Sequence, residues 1–62
     1  VTHDDLTAAR EVQELLEHAE EAVWDLANRM KRKGDIKRCL AIKVRAQSRI
    51  EDARHEIERV FA

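Results

Sequence analysis

The sequence predicts an all-α fold: an antiparallel helical hairpin that pairs with a second copy into a homodimeric antiparallel four-helix bundle. Three observations predict it. The 62 residues include no proline and one glycine, with 40% charged and 3% aromatic, the composition of long helices and coiled coils. Two stretches of apolar residues each recur in alternating steps of three and four, the mark of one buried helix stripe. The two stripes fall out of phase by one residue at Gly34-Asp35, which places a turn between them.

The first stripe runs Ala9, Val12, Leu16, Ala19, Val23, Leu26, Met30, with Ala9 at heptad position a. Thr2 three residues before Asp5 forms a capping box with Asp in the place of Glu, so the helix begins near His3. Asp4 and Asp5 also suit the positive end of the helix dipole. The second stripe runs Ile36, Cys39, Lys43, Ala46, Ile50, Ala53, Ile57, Val60. Gly34 supplies the left-handed residue that closes the first helix, and Asp35 the N-cap of the second. The whole chain, residues 1–62, reads as one domain: a helix over about 3–33, a turn at 34–35 and a helix over about 36–61.

Facing a to d across this turn pairs residues whose numbers sum to about 69. The layers are then Met30 with Cys39, Leu26 with Lys43, Val23 with Ala46, Ala19 with Ile50, Leu16 with Ala53, Val12 with Ile57 and Ala9 with Val60. Large residues mostly face small ones, so the helices approach closely and still fill the space between them. On one flank the same pairing sets Leu6 near Phe61, Ala27 near Leu40, and Gln13 and Glu20 opposite Arg54 and Gln47.

Two helices cannot enclose a core, and a chain this short buries only about 60% of its unfolded surface. One cysteine excludes an internal disulfide, so self-association, or docking on a partner, is the expected supplement. The candidate self-association surface is Ala8, Leu15, Ala22 and Trp24 on the first helix with Leu40, Ile42, Val44 and Phe61 on the second. Trp24 divides between partial burial in a dimer groove and a contact for a further protein partner. Lys43, at a core position, lays its stem on apolar neighbours and sends its ammonium outward, or else sets the pairing register.

Charge is segregated along the chain. Residues 1–28 carry eight acids and one base, residues 29–49 nine bases and one acid, and residues 50–62 four acids and two bases. The candidate basic partner-binding surface is Arg29, Lys31, Arg32, Lys33, Lys37, Arg38, Arg45 and Arg49. The first four suit the negative end of the first helix, but Lys37 and Arg38 stand where acids are preferred and need a negative neighbour. An antiparallel dimer supplies one, by laying each basic turn beside the partner's acidic ends.

The chemistry-bearing residues nominate no reaction, cofactor or metal. His3, His18 and His55 fall on outward positions, away from the inward carboxylate–histidine sets of bundle metal sites. Cys39 lies on the apolar stripe, as a buried and inert thiol. Ser48 has no base beside it in the helix. No apolar run reaches the ~20 residues of a membrane span, and the opening VTHDDLTAAR is too acidic and polar for a signal peptide. The lone free cysteine fits a reducing, cytoplasmic setting.

In length, turn position and large-on-small layering, the chain resembles the Rop type of hairpin dimer, which binds paired RNA loops. GDIKRCLAIK, residues 34–43, is similar to the start of the UVR hairpin, an interaction module of nucleotide-excision repair proteins. No functional residue is carried over from either. The expectation is a non-enzymatic protein–protein interaction module, as a small regulator, an adaptor or one domain of a larger chain. The alternative is a small nucleic-acid-binding regulator using the basic turn, held by phosphates with weak sequence specificity and without aromatic stacking.

Overall fold

The computed structural model describes residues 1–62 and is a helical hairpin without strands. Helix α1 spans His3–Arg32. The returning arm is continuous and has three parts: α2 (Ile36–Ala41), a π-helical segment (Ile42–Gln47) and α3 (Ser48–Phe61). No helix is long and apolar enough to cross a membrane. The molecule measures 48 × 15 × 9 Å, a single layer of two rods, so both flat sides face solvent.

Local sequence sets both ends of α1. The Thr2 N–H donates to Asp5 Oδ2 at 3.1 Å, and the Asp5 N–H donates to Thr2 Oγ1 at 3.2 Å, closing the capping box. At the other end Gly34 takes φ +82°. The Gly34 N–H donates to the Lys31 carbonyl at 3.0 Å and the Asp35 N–H to the Met30 carbonyl at 2.9 Å, the two bonds of a Schellman turn. A Cβ added at Gly34 would meet nothing within 4 Å, so Gly34→Ala pays in backbone strain alone. Urea titration of that variant should show a loss of about 1 kcal/mol, the usual penalty for the left-handed region.

The helices meet along a seam that differs from the expected one. Ala27 is 0% exposed and Cys39 4%, and these two alone are buried. The half-buried residues of α1 are Ala9, Gln13, Leu16, Ala19, Glu20, Val23 and Met30, positions a and e with Ala19 at d. Val12 and Leu26, expected in core layers at position d, are 41% and 47% exposed, and Val60 is 69% exposed. The layers Leu26 with Lys43, Val12 with Ile57 and Ala9 with Val60 are therefore corrected: their d members lie beside the seam.

The π segment accounts for the shift on the returning arm. A π turn takes one more residue than an α turn, so it rotates everything after it relative to what precedes it. Before the segment the inward residues include Cys39, and within it Ile42, Lys43, Ala46 and Gln47. After it they are Ile50, Ala53, Arg54 and Ile57. The inward face thus takes in position e beside a and d, which brings Gln47 and Arg54 inward, Arg54 against Gln13 and Glu20, while Val60 is turned out. A continuous α-helix over 36–61 was expected, and the π segment corrects that as well.

Candidate functional site: two unlike flanks and a basic tip

The a/e seam gives the hairpin two different sides. On one side Gln13, Glu20 and Arg54 meet. Gln13 Nε2 donates to the Arg54 carbonyl at 3.0 Å, and Arg54 Nη1 donates to Glu20 Oε2 at 3.4 Å. Gln13 Oε1 and Arg54 Nε are enclosed without a partner, so this polar cluster is only partly satisfied. Leu6 and Phe61 share the groove beside it, as the flank pairing anticipated. Farther toward the turn on this side, Lys43 Nζ stands 5.0 Å from the centre of the Trp24 ring. That geometry is a cation–π contact, and it answers where the ammonium of a core-position lysine goes.

The other side is apolar. Val1, Ala8, Val12, Ile57, Val60 and Phe61 line its groove at the open end. Ala22 and Leu26 border Asp25 and Arg29 nearer the turn. Leu15, 70% exposed, lies among Glu11, Glu14 and His18 at the outer rim. The expected self-association residues are thus divided. Ala8, Leu15 and Ala22 belong to the apolar side, and Trp24 to the side of the polar cluster. Leu40 and Val44 are exposed on the same arm as Lys43, Ile42 is half-buried, and Phe61 closes the open end of both grooves. Val12 and Leu26 escaped the sequence reading of this surface because their stripe position assigned them to the core.

The basic tip also resolves into parts. Asp35 Oδ1 accepts from the Arg38 N–H at 3.1 Å and Asp35 Oδ2 from Arg38 Nη1 at 2.8 Å. Arg38, one of two cations at the unfavourable end of a helix, therefore has its anion within its own chain. The Arg38 backbone N–H is the main cause that holds the Asp35 carboxyl below its ordinary value of 3.8. The Thr2 backbone N–H does the same for Asp5. Both depressed carboxyls favour the folded state above that ordinary value, and their contribution disappears as pH falls through the lowered one.

Arg29, Lys31, Arg32, Lys33, Lys37, Arg45 and Arg49 are exposed and enter no ion pair; the ion pairs of the chain use Arg38, Arg54 and Arg59, and His55 lies near Glu58. Of the two cations at the unfavourable end of α2, Lys37 is the one without an anion. No group of three or more histidine, cysteine or acidic side chains comes together, and Cys39 is enclosed beside the turn. In comparisons with known proteins, no family model matches the chain, and no curated protein or solved structure matches it either.

Proposed function

We propose that the chain is a non-enzymatic interaction module, a small regulator or adaptor, that works by pairing with a second copy through its apolar helix faces. The observation that carries this reading is surface. The hairpin exposes 5125 Å². A compact monomer of 7.2 kDa exposes about 4,100 Å² by the scaling of surface with mass. The excess, on the order of 1,000 Å², is close to the ~800 Å² that each partner contributes to a stable complex. The large apolar residues Val12, Leu15 and Leu26 are part of that excess. A reducing, cytoplasmic setting suits the free thiol of Cys39.

A second reading rests on the seven unpaired cations around the turn, which would hold nucleic-acid phosphates or an acidic protein. Reversing Arg32, Lys33, Lys37 and Arg38 to glutamate separates the two. If the cations serve the dimer, the variant sediments as a monomer at low salt, and retention on nucleic acid is as weak as before. An intact dimer that loses salt-sensitive retention on nucleic acid would select the second reading.

A further inference from the structure

We infer that the second copy packs on the apolar flank of α1, antiparallel, with each large side chain of that flank seated on an alanine of the partner. The inference rests on the self-association proposed above and adds the face, the orientation and the register.

The face follows from the seam. Because α1 uses positions a and e, with Ala19 at its edge, within the hairpin, its other d positions and its g positions point to one open side. Those positions hold the exposed Val12, Leu15 and Leu26 together with Ala8 and Ala22, and the half-buried Ala19 borders them. The opposite side carries the Gln13–Arg54–Glu20 cluster, which already engages part of its polar capacity within the chain.

The orientation follows from charge. The acids lie toward the open end and the unpaired cations around the turn, at opposite ends of a 48 Å rod. A parallel pair sets two basic tips together. An antiparallel pair sets each tip beside the partner's acidic end, which gives Lys37 the negative surroundings it lacks in one chain.

The register follows from symmetry. An antiparallel two-fold that joins like flanks lays α1 on α1 of the other copy. In antiparallel helices with d and g at the contact, d faces g, as a faces d in the ordinary heptad. Facing numbers that sum to 34 place the two-fold near residue 17, the middle of α1, so the two helices overlap along almost their whole length. Val12 then meets Ala22, Leu15 meets Ala19, and Leu26 meets Ala8. Asp5 meets Arg29. Large on small at every apolar layer allows the close approach that buries the most surface per residue.

Two variants test this, both carrying Cys39→Ala: one with Ala8→Cys, the other with Leu26→Cys. The new cysteines stand at exposed sites, so each variant should keep the circular dichroism of the parent. Under mild oxidation neither alone should crosslink, because each cysteine faces residue 26 or residue 8 of its partner and not itself. Mixed, they should form a disulfide-linked heterodimer. Rapid crosslinking of either variant alone would overturn the antiparallel register. A dimer by sedimentation that gives no crosslink on mixing would overturn the choice of flank. A monomer by sedimentation would overturn the self-association on which the inference rests.

Discussion

Ala27→Leu should lower the stability of the hairpin by about 1–3 kcal/mol, the cost of forcing a larger side chain into a filled contact. Ala27 is 0% exposed and belongs to the line on which α1 meets the returning arm, seven residues before Gly34. An isobutyl group there has two outlets. It pushes the helices apart near the turn, which opens the Cys39 contact, or it adopts a strained rotamer. In so small a domain each kcal/mol moves the thermal midpoint by roughly 4–8 °C, so the effect is easily seen in a circular dichroism melt. Ala41→Leu is the control. Ala41 is exposed at the end of α2, and leucine there should change stability by less than about 0.5 kcal/mol. Equal effects at the two sites would mean that Ala27 is not where the helices meet.

Deleting Val44 and deleting Asp52 should have opposite consequences, although both residues are exposed on the same arm. Val44 lies inside the π segment, which holds one residue more than the same turns of α-helix. Its removal lets α2 run into α3 as a regular helix, with Cys39 and Ile50 still facing α1. Helix content and midpoint should stay near those of the parent. Asp52 lies in regular α3. Its removal rotates everything beyond it by about 100°, one residue of an α-helix. Ile57 and Arg54 then leave the seam, and Gln13 and Glu20 lose their partner. Loss of the isoleucine burial alone is about 1.5–3 kcal/mol. If the two deletions cost the same, the π segment does not absorb an extra residue.

The local elements were legible because their signals are short. Thr2 and Asp5 specify the start of α1, and Gly34-Asp35 specifies its end, through hydrogen bonds that involve nothing beyond five residues. The pairing across the turn was legible to within one position, since Leu6 and Phe61 line one groove and Gln13 bonds the Arg54 carbonyl. The choice of seam was not. An apolar arc spanning a, d and g has two edges, and the sequence does not say which edge the neighbouring arm of the same chain takes. Here it takes the a/e edge, accepting Gln13, Glu20 and Arg54 at the contact and leaving Val12 and Leu26 outside. The π segment had no signal either, because IKVRAQ is unremarkable as helix and the segment depends on how two long arms fit together. Arg38 was legible as an anomaly, and Asp35 three residues earlier was the answer to it.

The central claim is that the apolar flank of this hairpin belongs to a second copy of the chain, and the molecular mass in solution tests it most directly. Sedimentation equilibrium at micromolar concentration and low salt should give twice 7.2 kDa. The dimer should weaken, without vanishing, as salt rises and screens the attraction between basic tip and acidic end. A mass of 7.2 kDa across the whole concentration and salt range would contradict the claim.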